Sequence, residues 1–351
     1  MARSDKASHI LVIRLSAMGD VAMTIPVLTA FGNKYPDIKV TVLTRKFFEP
    51  MFKQLPNVSI FAADVKGEHK GIFGLWRLYK ELKTINIDAV ADLHNVLRSN
   101  VLKHFFGLSG IPFKQIDKGR AEKKALTALK NKVFKRPLKS TYQRYADVFE
   151  SLGFSMDLSK AEPLEKLSLP KNIRDLVSES SGARIGIAPF AAFQGKMYPF
   201  ELIEEVVNEL NKNNAYQLFF FGGGAKEIEQ LDLLEEKYSN GINCAGKFSF
   251  EEELALISNL DLMLSMDSGN GHLASIYGIP VVTLWGVTHP YAGFSPFNYG
   301  SNRAILSDRV AYPLIPTSVY GNKTPKGYEK VMSTISPKEV LQTIKKVIGK
   351  R

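Results

Sequence analysis

The most constraining feature of this chain is an apolar run, His9–Leu15, that passes through the turn Ser16-Ala17-Met18-Gly19 into a helical stretch from about Asp20 to Lys34. A strand that feeds a helix through a short turn returns to pair in parallel, because only a crossover brings the chain back in the same direction. The unit recurs. Lys39–Leu43 and Val58–Phe61 read as strands, Trp76–Thr84 as a helix, and Ala89–Leu93 as a short buried strand. The rhythm breaks at Ala161–Ala183, which holds Pro163, Pro170 and the small polar stretch Ser178–Gly182, and then restarts. Arg184–Ala188, Tyr216–Phe221, Leu262–Ser265 and Val281–Trp285 read as strands. Pro199–Asn211, Lys226–Tyr238, Phe250–Ser258 and Gly271–Tyr277 read as helices. Such alternation predicts an α/β protein of two Rossmann-like doubly wound domains facing a central cleft. The expected boundaries are 1–165 for the N-terminal domain, 166–183 for a linker and 184–334 for the C-terminal domain. The amphipathic Pro337–Ile348, within 335–351, is expected to pack back on the N-terminal domain.

With 351 residues, 45% apolar and 23% charged, the chain has enough apolar material for two cores. No run of about 20 apolar residues predicts a spanning helix, and the polar Met1–Ser8 is no secretory leader. The single cysteine, Cys244, forbids an internal disulfide and fits a reducing compartment. Charge is divided unevenly. Residues 1–160 carry 27 Lys/Arg against 14 Asp/Glu, a net of +13, while the remainder carries 19 against 21. Eleven of those cations lie between Lys114 and Arg144. This segment reads either as a solvated helix face or as a footing for an anionic acceptor or lipid headgroups, with Lys123, Lys124, Lys135 and Arg136 as the contacts. Nucleic acid is not expected, because aromatic rings are not interleaved with the charges.

Four turns at carboxyl ends of strands carry candidate chemistry. Asp20, with Ser16 in the same turn, faces ligand space at the end of the first strand and can serve as a general base; equally, an Asp at a helix start is a good cap. Asp267-Ser268-Gly269-Asn270-Gly271-His272 couples an acid and two glycines to a helix start, whose free N–H groups suit a diphosphate. Lys196 precedes a Pro-started helix and can reach a phosphate as a point charge. Gly222-Gly223-Gly224 is followed by Glu227, which can hold a ribose or simply complement the helix dipole. The six histidines are scattered, and no Asp-x-Asp triplet occurs, so no metal site is expected.

These four turns, in this order and spacing from Ile10 to about Pro296, resemble the bacterial lipopolysaccharide heptosyltransferases of glycosyltransferase family 9. The most specific parts are Ser16-Ala17-Met18-Gly19-Asp20 with Pro26, and Asp267-Ser268-Gly269 with His272 and Gly278-Ile279-Pro280. The resemblance implies the GT-B fold and an inverting, metal-free transfer of heptose from ADP-heptose to an anionic inner-core glycolipid. It implies Asp20 as the base and Lys196, Glu227, Asp267, Ser268, Gly269 and His272 as donor contacts. It also implies work in the cytoplasm, peripherally on the inner membrane face. Two departures stand out: Ala188-Pro189-Phe190-Ala191-Ala192-Phe193-Gln194 stands before Lys196 where relatives often carry hydroxyl residues, and Ser268 stands for a threonine. The residues alone also admit a transferase for another nucleotide sugar, a nucleotide-sugar epimerase, or a non-catalytic basic protein that docks on membranes or RNA.

Overall fold

The computed structural model describes residues 7–177, 182–212 and 215–349. The chain divides into two compact units, Met1–Lys118 with Thr141–Pro163, and Gly119–Ser140 with Leu164–Arg351.

The first unit is built on five strands, β1 (His9–Ile13), β2 (Lys39–Thr44), β3 (Val58–Ala62), β4 (Ala89–Asp92) and β5 (Phe113–Gln115). They are all parallel, in the order β3-β2-β1-β4-β5. β1 is central and buried from Ile10 to Ile13, which is why it reads as a continuous apolar run rather than an alternation. The expected helix from Asp20 to Lys34 is two helices, α1 (Met18–Ala22) and α2 (Thr24–Lys34). The break follows from Pro26, which has no N–H and whose ring would collide with the carbonyl four residues back, at Ala22. α3 (Gly71–Lys83) and α4 (Leu97–Leu108) pack together, and their Leu75, Leu78, Leu82, Leu102 and Phe106 cluster with Leu11 and Ile13 of β1. α5 (Arg120–Leu126) lies in the second unit, and α6 (Thr141–Glu150) returns to the first, where Phe149 packs on Phe31 of α2.

The second unit contains β6 (Ala183–Ala188), β7 (Tyr216–Phe220), β8 (Gly241–Asn243), β9 (Leu262–Met266), β10 (Val281–Trp285) and β11 (Arg303–Leu306). They too are parallel, in the order β11-β10-β9-β6-β7-β8. Its helices are α7 (Lys171–Val177), α8 (Phe200–Asn211), α9 (Ala225–Lys237), α10 (Phe250–Ser258), α11 (Gly269–Ile276) and α12 (Pro337–Ile348). α10 starts on a capping box, with Ser249 Oγ accepting from Glu252 N–H and the Glu252 carboxylate accepting from Ser249 N–H.

Three features of the organisation stand out. The basic segment does not belong wholly to the N-terminal domain, since residues 119–140 cluster with the second unit. Leu138 N–H donates to Tyr291 O, Phe134 stacks on Tyr291 with ring centroids 4.8 Å apart, and Arg309 lies 3.6 Å from the Phe134 centroid. Lys132 Nζ donates to Leu314 O at 2.7 Å and also to Pro316 O. Second, Val340, Ile344 and Val347 of α12 are buried in the core of the second unit, with α12 set against α8. Third, the expected linker carries a short helix and fixed contacts. Leu164 N–H donates to Ile276 O, Leu167 N–H to Ser258 Oγ, and α7 buries Ile173 and Val177. Residues 178–181 of that linker, within Ser178–Gly182, lie outside the described residues.

Candidate active site

In an open parallel sheet the ligand crevice opens where neighbouring strands send their connections to opposite sides. In the first unit that point lies between β1 and β4, and the residues beyond their carboxyl ends meet there. Asp20 occupies the third position of α1, not the cap, which is Ala17. Its Oδ2 accepts from Ala17 N–H at 3.3 Å and pairs with an Arg14 guanidinium nitrogen at 2.6 Å. Arg14 is buried and anchored by a second nitrogen donating to Leu93 O at 2.7 Å, whereas the Asp20 side chain keeps 30% of its surface in solvent. The carboxylate is therefore held from behind and open in front. Tyr145 of α6 donates its hydroxyl to Asp20 O at 3.3 Å, and burial raises its pKa, so it stays a phenol. Ser16 is half-buried in the same turn.

His94, two residues past β4, completes this group and was not singled out from sequence. Leu15 N–H donates to its Nδ1 at 3.4 Å, which leaves the proton on Nε2. Burial, then the cations Arg14 and Lys118, lower its pKa to about 3, so the imidazole is neutral at physiological pH. Asp92 fixes the loop that carries it, accepting from the N–H groups of His94 and Asn95 at 2.9 and 3.0 Å. A lone histidine carries no periodicity; its one sequence cue is its place just beyond a buried strand.

In the second unit the corresponding point lies between β6 and β9. Lys196 stands in a 3-10 turn, Gln194–Lys196, after β6, and Asp267 directly follows β9. Lys196 Nζ and Asp267 Oδ2 are 3.3 Å apart, with side chains 13% and 11% exposed. Gly321, at φ +87°, closes over the lysine: a Cβ there would sit 2.4 Å from Lys196 Cγ. Gly286, after β10, lets the chain pass the Gly195 carbonyl, which a Cβ would approach to 2.3 Å. Gly269 opens α11 with Ser268 as its cap residue. Ser268 Oγ is buried and makes no hydrogen bond, even to the helix it precedes. Ser265 Oγ, Thr288 Oγ1 and Trp285 Nε1 are likewise buried and unpartnered. Buried polar atoms ordinarily find partners. Of these four, Ser268 alone is also a candidate read from the sequence, and its unpartnered hydroxyl sits at the start of α11. His272 is buried on α11. Glu227, in the first turn of α9, folds one carboxylate oxygen onto Gly223 N–H at 2.8 Å, which orients the other outward from the glycine turn.

The basic candidates are not gathered at either point. Lys123 is buried with its ammonium 4.1 Å from the Phe294 centroid, which removes it as a surface contact. Lys124, Lys135 and Arg136 are exposed, on the segment that clusters with the second unit. Among the described residues, no group of three or more His, Cys, Asp or Glu side chains is placed to hold a metal, and no helix is long and apolar enough to cross a membrane.

A family model described as glycosyltransferase family 9 (heptosyltransferase) matches residues 75–312. The lipopolysaccharide core heptosyltransferase OpsX of Haemophilus influenzae is 26% identical over 350 residues, covering 98% of each chain. A solved glycosyl transferase family 9 structure from Veillonella parvula matches with a TM-score of 0.75 at 20% identity, covering 98% of each chain. The E. coli heptosyltransferase WaaC with ADP-2-deoxy-2-fluoro heptose matches with a TM-score of 0.67 at 18% identity, covering 96% of this chain and 99% of that one. The structural likenesses carry the fold, two parallel-sheet α/β domains of the GT-B heptosyltransferase kind.

Proposed function

The chain belongs to glycosyltransferase family 9, the heptosyltransferases, and is a glycosyltransferase; from that premise we propose that it transfers heptose from ADP-heptose to a lipopolysaccharide inner-core acceptor with inversion. The observation that carries the reading is the pairing, in one chain, of a solvent-open carboxylate at the switch point of one sheet with a lysine, a helix start and an orphaned hydroxyl at that of the other. Asp20 takes the proton of an acceptor hydroxyl. That oxygen attacks the anomeric carbon, the bond from that carbon to the diphosphate oxygen breaks, and ADP leaves with the electron pair. Lys196, Ser268 Oγ and the first N–H groups of α11, at Gly269, meet the negative charge that grows on the leaving group. Asp267 holds Lys196 in place, Glu227 takes the ribose hydroxyls with its outward oxygen, and His272 lines the same loop.

Such an acceptor is anchored in a bilayer, so the enzyme works in the cytoplasm, peripherally on the inner membrane face. The direct test is transfer. Purified enzyme, ADP-heptose and a heptose-free inner-core acceptor should release ADP and add one heptose to the acceptor. ADP-heptose should raise the melting temperature more than ADP, and UDP or GDP should not. Stabilisation by UDP or GDP alone would retain the transferase and replace the donor; isomerised donor without acceptor would support an epimerase instead.

A further inference from the structure

The first unit bears an unpartnered apolar ridge that the transfer chemistry does not use. Phe73 on α3 is 87% exposed, and Leu97 and Leu108 on α4 are 80% and 84% exposed. These are not scattered residues. Phe73, Trp76, Lys80 and Lys83 follow one another at spacings of three and four along α3, and so share its outer face. Leu97, Val101, His104 and Leu108 do the same along α4. Both helices follow parallel strands of one sheet and therefore run in the same direction, side by side. Trp76 meets Phe105 edge to face at 4.9 Å, and beneath it the buried Tyr79 meets Ser109 Oγ, which packs the two helices together along this side.

The charges on the ridge itself are cationic, while Glu68 beside it is paired with Arg77. Lys80 Nζ lies 5.8 Å from the Trp76 ring centroid and Lys83 Nζ 5.9 Å from that of Tyr79, so each ammonium rises beside an aromatic ring. Glu81 lies off the ridge, engaged by His69 and Arg77. Aromatic and aliphatic side chains bordered by lysines match the boundary between acyl chains and anionic headgroups. A second copy fits less well, since a two-fold pairing of this face would set Lys80 and Lys83 against their own counterparts.

We propose that the outer face of α3 and α4 is the membrane-docking surface, inserting Phe73, Trp76 and Leu108 into an anionic leaflet while Lys80 and Lys83 bind its headgroups. The proposal rests on the membrane-anchored acceptor of the reaction above, and it replaces the 114–144 segment as the footing. It also has a geometric consequence. α4 begins at Leu97, three residues past His94, at the carboxyl end of β4 where Asp20 also lies. Docking along α4 therefore brings the base to the bilayer surface, where the acceptor sugar emerges.

The test is flotation of the full-length protein with vesicles of phosphatidylethanolamine and phosphatidylglycerol, against phosphatidylcholine alone. Trp76 is a built-in reporter, since Trp285, the other tryptophan, is buried. Wild type should float with the anionic vesicles only, and Trp76 emission should shift to the blue and be quenched by brominated acyl chains. F73S/L108S should lower partitioning by about tenfold or more, and K80Q/K83Q by about fivefold per lysine. Both should keep wild-type turnover on a soluble, deacylated acceptor, which shows that they are folded. Undiminished binding of F73S/L108S, with loss on K124Q/K135Q/R136Q, would overturn the assignment and return docking to the second unit. Wild type that ignores vesicles yet transfers heptose to the soluble acceptor would overturn docking while leaving the reaction intact. Loss of self-association in F73S/L108S without any vesicle binding would give the face to a second copy.

Discussion

Replacing Asp20 separates its possible roles as base and as structural partner of Arg14. Proton transfer by a positioned base is worth roughly 10²–10⁴-fold in rate, or about 3–5 kcal/mol of barrier. The structural cost is smaller. Arg14 loses one short ion pair but keeps its donation to Leu93 O, and Asp20 is 30% exposed, so water can solvate part of the gap. That predicts a loss of about 1–3 kcal/mol, within the stability of an ordinary domain. D20N retains the shape and D20A removes it, so a shared loss of kcat isolates the base from the packing. The assay is ADP release with saturating acceptor, together with the thermal shift produced by ADP-heptose. Turnover should fall at least 100-fold in both variants, while the donor-induced shift stays, because the proposed donor contacts lie in the other unit. Turnover of D20N within tenfold of wild type would refute the base assignment and leave Asp20 as a partner of Arg14 and Ala17.

Other perturbations probe the donor side and the buried histidine. K196A leaves the mostly buried Asp267 carboxylate without its partner, and should cost about 1–3 kcal/mol in thermal denaturation; K196A/D267N should recover most of that stability but not ADP binding, measured by calorimetry. G321A puts a Cβ into the Lys196 stem at positive φ, so it should lower stability by about 1–3 kcal/mol and weaken ADP-heptose binding, whereas wild-type affinity would show that the loop yields freely. His94 has a folded pKa lowered from 6.5 to about 3, so its contribution is complete above pH 6.5 and drains away as pH falls toward 3. At pH 5 the loss amounts to roughly 2 kcal/mol, and H94N should show a correspondingly flatter decline of stability between pH 7 and 5. An equal decline in both proteins would mean that other groups carry the acid sensitivity.

What the sequence by itself determined was local and contiguous. The buried strands are readable because a strand covered on both faces is an unbroken apolar run, as in Ile10–Ile13 and Val281–Trp285. Each predicted donor-site or base residue sits beside its strand in the chain: Asp20 after β1, Lys196 after β6, Asp267 after β9. Their spacing therefore survives translation into three dimensions. The strands β5, β8 and β11 are not legible, since they are short and not buried throughout, so they form no unbroken apolar run, unlike the equally short but fully buried β4. Tertiary structure alone decided what depends on strand order. Neither switch point can be read along the chain, because each joins strands separated by others, β1 to β4 and β6 to β9. This is why His94 is not legible along the chain, and why the sequence does not show that residues 119–140 cluster with the second unit. Its charges are visible in the sequence, but the contacts that place it, Lys132 to Leu314 O and Phe134 to Tyr291, span more than 150 residues. Composition fixes how much charge and apolar surface a chain owns; only packing decides which of it, Lys123 inward or Phe73 outward, is left to meet a partner.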